Sequence, residues 1–353
     1  MIAGLMFAAA FCFMKQLFVI LTVVLLLGCV RQDGISTTEQ AAAPPTSPTP
    51  TPYPENIDTT LEVELAEIAK PANGRVGVGA FFVETGQAAY LERDGHFPMQ
   101  SVYKLPIAMT VLKLIDGGRA RLDQEVNITP DDFVRVGFYS PIRSNNPNGV
   151  VMQVGEILRR SVSESDGTAS DVLLDLAGGP PQVMNYLKSI GVYDVTVADS
   201  EKSISKDWVT QYRNWSTPAG SVNLLRALLQ RRAGLSEQTT VLLLNLMTET
   251  KTGSRRLKGG LPEEISIAHK TGTGGTEGGI TGATNDIGII TLRDGRHILI
   301  AVYVSDSPAN TGVREKVIAD AARVVMERWA PGSSSRKKAE VNGADFSTRH
   351  TLQ

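Results

Sequence analysis

A serine and a lysine three residues apart, Ser101 and Lys104, sit near the start of the apolar stretch FPMQSVYKLPIAMTVLKLID, residues 97–116. On a helix such a pair projects from one side, which sets an amine beside a hydroxyl. An amine of lowered pKa can take the hydroxyl proton and make serine a nucleophile. The first-turn N–H groups of a helix have no partner within it, so the serine end also suits an anion. The spacing alone is common: Ser203/Lys206, Ser334/Lys337 and Ser335/Lys338 share it. Those pairs lie in a polar loop and a polar tail. Only Ser101 is followed by Val102, Leu105, Ala108, Met109, Leu112 and Ile115 at helical spacing, the pattern of a helix with one buried face.

Two further motifs bear on the same chemistry. Ser165-Asp166-Gly167 separates two helical patterns, where a helix cap would by itself account for it, and Ser305-Asp306 repeats the dipeptide. Lys270-Thr271-Gly272 ends a strand pattern, offering an ammonium and a hydroxyl to a substrate carboxylate. Gly272 leaves room for a ligand along the strand edge, and Thr273 adds a backbone N–H. Lys251-Thr252-Gly253 is a competing match, but it follows a helix and enters a turn.

These residues need elements to hold them. A helix is expected at Thr59–Ile68, then a hairpin of strands Val76–Glu84 and Ala88–Leu91 around Thr85-Gly86. After the Ser101 helix the pattern is mainly helical to Leu246, with helices at Val154–Glu164, Thr168–Ala177, Pro180–Ser189, Pro218–Leu229 and Glu237–Thr248. A Gly-rich turn, Lys251–Gly260, leads to strands Ser266–Thr271, Asp286–Leu292 and His297–Ser305, and helix Thr311–Trp329 closes the body. Strands at both ends with helices between predict an α/β (α+β) fold. An antiparallel sheet flanked by helices would be built from both termini (residues 56–100 and 248–330), with an all-helical lobe, about 101–247, inserted. The cleft between lobes is where a small molecule would bind.

Composition excludes several other classes. The chain has 353 residues, a formal charge of −2 and 42% apolar residues, so nothing marks it for nucleic acid. Both cysteines, Cys12 and Cys29, precede the body, which therefore has no disulfide, thiol nucleophile or cysteine metal site. The four histidines show no metal-binding spacing, which argues against zinc hydrolysis. Met14-Lys15-Gln16 followed by apolar Leu17–Leu27 reads as a signal sequence whose true start is either Met1 or Met14. Leu26-Leu27-Gly28-Cys29 resembles a bacterial lipobox, in which Cys29 is lipidated; a plain cleaved signal or a membrane anchor are the alternatives. Residues 30–55, rich in Thr, Ser, Ala and Pro, read as a tether, and residues 331–353 as a polar tail.

S-x-x-K, S-D-x and K-T-G in this order are far more specific than any one alone, and they form the signature of class A β-lactamases and penicillin-binding proteins. From about Ile57 to Trp329 the chain resembles a class A serine β-lactamase. Residues 97–112 resemble the family's nucleophile helix, Tyr139-Ser140-Pro141-Ile142 its loop at the mouth of the site, and Thr284–Gly288 the strand after K-T-G. Met99-Gln100, the Glu201 loop and Gln211–Trp215 resemble the PER-like subgroup.

The resemblance implies roles. Ser101 would attack the lactam carbonyl, Lys104 would help move its proton, and Ser165 would relay a proton to the departing nitrogen. Lys270, Thr271, Gly272 and Thr273 would receive the substrate carboxylate, the N–H groups of Ser101 and Thr273 would hold the oxyanion, and Tyr139 would wall the entrance. Arg256 would add charge for the carboxylate, or be a surface arginine. No metal or cofactor is needed, the ligand is a small β-lactam, and the protein would act as an exported, lipid-anchored monomer.

Two departures matter. The family's E-x-x-L-N loop is missing, leaving Glu201 in Asp199-Ser200-Glu201-Lys202 as the deacylating base, or else an exposed loop glutamate. Gly167 replaces the usual asparagine, which removes its contacts with substrate and lysine and would widen the site. A D-alanyl-D-alanine carboxypeptidase or other penicillin-binding protein is the rival reading, since it needs no deacylating base. A non-catalytic envelope module on the same fold is the other.

Overall fold

The computed structural model describes residues 55–332. The proposed signal sequence, Cys29 and most of the tether and tail lie outside them.

The first segment builds one side of a sheet. Strand β1 (Asn56–Ile57) leads into helix α1 (Thr59–Ala69), whose first turn is closed by Asp58 accepting from the Leu61 N–H at 3.0 Å. Such a cap contributes about 1 kcal/mol. The chain then turns through Asn73 at φ 46° into β2 (Arg75–Phe82) and β3 (Gln87–Leu91), the expected hairpin with strand ends shifted by one or two residues. A two-residue strand, β4 (Phe97–Pro98), precedes a 3₁₀ turn at Gln100–Tyr103, and only then does α2 (Lys104–Asp116) begin. Ser101 thus lies in the tighter turn rather than in the α-helix itself. The expected juxtaposition survives because residues three apart eclipse in 3₁₀ geometry.

The middle of the chain is helical: α3 (Pro141–Asn145), α4 (Val154–Val162), α5 (Gly167–Leu176), α6 (Pro180–Ser189), α7 (Glu201–Ile204), α8 (Pro218–Leu229) and α9 (Glu237–Thr248). Sequence periodicity misses the small strands here. β5 (Glu125–Ile128) pairs antiparallel with β6 (Val150–Gln153), and β7 (Val195–Thr196) with β8 (Trp215–Ser216), which also pairs with β4. Two- and four-residue strands are too short to show alternation.

The remaining strands return to the main sheet: β9 (Ser266–Thr273), β10 (Thr276–Glu277), β11 (Ile280–Thr291) and β12 (His297–Ser307). The order is β1-β3-β2-β12-β11, with β9 and β10 pairing different parts of β11. Every pairing is antiparallel except β1 with β3. The final helix, α10 (Thr311–Trp329), is capped by Asn310.

Alternation along the strands sends side chains to two cores. Leu299, Ala301 and Tyr303 of β12 join the core shared with α2, α5 and α8, while Ile298, Ile300, Val302 and Val304 face α1 and α10. A sheet buried on both faces is rigid, and burying each large aliphatic side chain contributes roughly 1.5–3 kcal/mol. The sheet therefore fixes β9 against the Gln100–Tyr103 turn, where the cleft opens.

Candidate active site

The cleft, about 740 Å³, is lined by Ser101, Lys104, Ser165 and Glu201, by Thr271 and Thr273 of β9, and by Tyr139 and Trp208 at its sides. The fold thus brings together the residues that the sequence motifs single out. Gln100, held at φ 48°, precedes the half-buried Ser101. Lys104 is 1% exposed, and its Nζ donates to Ser101 Oγ at 2.9 Å and to the Ser165 carbonyl at 2.9 Å. Its third neighbour is Glu201 Oε2 at 3.5 Å.

Ser165 owes its position to local backbone geometry. It takes φ 64°, left-handed, immediately before α5, and Asp166 caps that helix by accepting from Ala169 N at 3.0 Å. Asp166 also accepts from Ser140 Oγ (3.0 Å) and Ile142 N (2.8 Å), tying in the loop that carries Tyr139. The capping role therefore applies to this stretch, and it sets Ser165 at the cleft. Tyr139 is 63% exposed at the rim, and its carbonyl accepts from Gly167 N at 3.0 Å. Behind Ser165, Glu164 accepts from Arg159, Arg160 and Lys251, which together outweigh burial and bring its carboxyl down to about 2.

On β9, Lys270 is fully buried and its Nζ donates to Ser165 Oγ at 2.9 Å. Burial, then the charge of Lys104, pushes its ammonium well below the ordinary lysine value. Gly272 approaches the nucleophile turn so closely that a Cβ would lie 2.3 Å from the Met99 carbonyl oxygen. Gly272→Ala is expected to force β9 away from Met99, costing about 1–3 kcal/mol as overpacking, measurable as a lower midpoint in urea.

Arg256 is not a surface arginine. It is 5% exposed and donates to the carbonyls of Gly272 (3.0 Å) and Asn285 (2.9 Å) and to Thr273 Oγ1 (2.8 Å). A guanidinium only donates, so the Thr273 hydroxyl accepts from it and keeps its own proton for another partner. Glu315 offsets the buried charge, 3.4 Å from Arg256 Nε.

Glu201 is not an exposed loop glutamate. It opens α7, and its Oε2 accepts from the buried Tyr103 hydroxyl at 2.6 Å. Burial, then the charge of Glu201, keeps the Tyr103 phenol far above the ordinary tyrosine value, so it stays a donor. The backbone of the same loop is held by Asp171, which accepts from Glu201 N at 2.6 Å and Lys202 N at 2.9 Å. Tyr103 and Asp171 were not legible as site residues. The available signals were a tyrosine inside S-x-x-K and an acid, Asp171, immediately before the apolar Val172-Leu173-Leu174 of α5.

Asp171 gives the loop a pH dependence. Burial, opposed by the two N–H groups and assisted by Glu201, raises its carboxyl to about 6. Because the folded value lies above the unfolded one, its contribution to stability is full below the unfolded value and is lost as pH rises through about 6. Function runs the other way, since the carboxylate must be ionised to accept both N–H groups. Turnover is expected to fall as pH drops through about 6. Asp171→Asn, which puts a donor against one N–H, should lower kcat and flatten that acid limb in a pH–rate profile.

Gly167 departs from the expectation of a widened site. A Cβ there would meet Glu201 Cγ at 3.1 Å and the Tyr139 carbonyl oxygen at 3.2 Å. The space a side chain would use is taken up by Glu201 and the rim loop.

Comparison with known proteins agrees with this arrangement. A profile described as the Beta-lactamase enzyme family matches residues 60–329. β-Lactamase VEB-1 of Pseudomonas aeruginosa is 40% identical over 270 residues, 76% of this chain and 90% of the relative. The extended-spectrum β-lactamase PER-1 of the same species is 36% identical over 266 residues, 75% of this chain and 85% of the relative. The crystal structure of a β-lactamase from Chitinophaga pinensis DSM 2588 superposes with a TM-score of 0.74 at 40% identity, covering 76% of this chain and 98% of that one. With a profile spanning most of its length and relatives at this identity, the chain belongs to the β-lactamase enzyme family, in class A.

Proposed function

We propose that the protein hydrolyses the amide bond of penicillins and cephalosporins through an acyl-enzyme on Ser101. In this reading Ser101 Oγ attacks the lactam carbonyl while Lys104, 2.9 Å away, takes its proton. The oxyanion forms between the N–H groups of Ser101 and Thr273, an interaction of several kcal/mol in such sites. Ser165, which accepts from Lys270, hands its own proton to the departing nitrogen. Lys270, Thr271 and Thr273 receive the substrate carboxylate, with Arg256 acting through Thr273. Water activated by Glu201 then releases the product acid.

The observation that carries this reading is the second base: a carboxylate 3.5 Å from Lys104, anchored by Tyr103. A penicillin-binding protein has no use for it. The test is steady-state hydrolysis of a chromogenic cephalosporin, with intact-mass spectrometry after mixing. Turnover without a lasting adduct, lost in Ser101→Ala, is expected. A wild-type adduct that persists for hours would mean a penicillin-binding protein.

The reading extends to an enzyme exported to the periplasm and held at the envelope as a lipid-anchored monomer through Cys29, supported by the lipobox-like Leu26–Cys29 and the Pro/Thr-rich segment after it. Metabolic labelling with an alkynyl fatty acid should mark the wild type and not Cys29→Ala. Equal labelling of both would discard the anchor.

A further inference from the structure

The turn after α9 contains a second K-T-G, Lys251-Thr252-Gly253, that no step above uses. The fold sets it against the first. Thr252 and Thr271 both line the cleft, and their Oγ1 atoms lie 2.5 Å apart. Gly253 permits this approach: it takes φ 70°, and a Cβ there would sit 2.5 Å from Thr271 Cγ2. The turn is also pinned to β9 by Thr250, which donates to the His269 carbonyl at 2.7 Å. Lys251 serves a different partner, donating to Glu164 at 2.8 Å.

We propose that Thr252 is a positioning residue of the carboxylate subsite, its hydroxyl donating to Thr271 so that the Thr271 proton points at the substrate carboxylate. The proposal rests on Thr271 receiving that carboxylate. Each hydroxyl has one proton, so two hydroxyls in contact spend one proton on each other and keep one for a third partner. An anion in the cleft selects the chain Thr252→Thr271→carboxylate, and each bond in such a chain polarises the next. Arg256 does the same for Thr273 with a donor-only group. The turn from Thr252 to Arg256 therefore backs both β9 threonines and leaves each of them a proton for the carboxylate.

Thr252→Val removes the hydroxyl at nearly constant volume, and Thr252→Ser restores it. Both are compared in the full chain on a chromogenic cephalosporin and on its C4 methyl ester, which lacks the carboxylate. One hydrogen bond of about 0.5–1.5 kcal/mol converts to a rise in KM of about 2- to 13-fold for the acid in Thr252→Val. Its kcat should change far less, Thr252→Ser should stay near wild type, and the ester should be indifferent to both changes. An unchanged KM for the acid, or equal losses on acid and ester, overturns the proposal. If the wild type hydrolyses neither substrate, the hydrolase reading falls and the proposal with it. Turnover by the wild type with an insensitive Thr252→Val discards the proposal alone.

Discussion

Glu201→Gln is expected to trap the enzyme after one turnover. The glutamine carbonyl can still accept from the Tyr103 hydroxyl, 2.6 Å from Glu201 Oε2, so α7 should keep its place. What disappears is the capacity to take a proton from water. A positioned general base contributes typically about 10²–10⁴-fold, and kcat should fall by that factor while acylation proceeds. Rapid mixing should show a burst of about one equivalent of cleaved cephalosporin, as expected when the covalent intermediate accumulates, and intact mass should show the adduct on Ser101. A variant that turns over without a burst, at the wild-type rate, would reduce Glu201 to a structural member of its loop.

Lys104→Met is expected to act one step earlier. Methionine fills a similar space but cannot accept a proton, and the contacts with Ser101 Oγ, the Ser165 carbonyl and Glu201 are lost together. Acylation, read as kcat/KM or as the rate of adduct growth by mass, should drop about 10²–10⁴-fold. The orphaned Ser165 carbonyl adds a stability cost of about 1–3 kcal/mol, seen as a lower midpoint in urea. The two variants separate the bases. If Lys104→Met acylates at the wild-type rate, the serine proton leaves by way of Glu201 and water instead.

Much of this site is legible in the sequence itself. Ser101, Lys104, Ser165 and Lys270 stand in short motifs whose spacing is local, so a turn or a strand end delivers their chemistry. Helices α6, α8, α9 and α10 fall where periodicity and caps put them, because Pro, Ser, Thr and Asn signals act over three or four residues. Glu201 stands outside any such motif, since the family's E-x-x-L-N loop is missing. Whether it faced solvent or the nucleophile depended on Asp171 and Tyr103, which lie 30 and 98 residues away in sequence.

Other features depended on long-range packing. Arg256 has the sequence context of a surface turn, yet its guanidinium is buried among Gly272, Thr273, Asn285 and Glu315, partners 16 to 59 residues away. Gly167 reads as an opened site because a missing side chain leaves a gap by default, and the packing of Glu201 and the Tyr139 rim loop fills it. The second K-T-G is in sequence only a competing match that enters a turn, and its contact with β9 exists only in the folded chain. By itself the sequence determined the long helices and main strands and the Ser101–Lys104 pairing, since these depend on neighbours a few residues apart. Tertiary structure alone decided which carboxylate faces the cleft, where Arg256 spends its charge and which hydroxyls stand behind the β9 threonines. Those contacts join segments far apart in the chain, and a hydrogen bond acts only over about 3 Å.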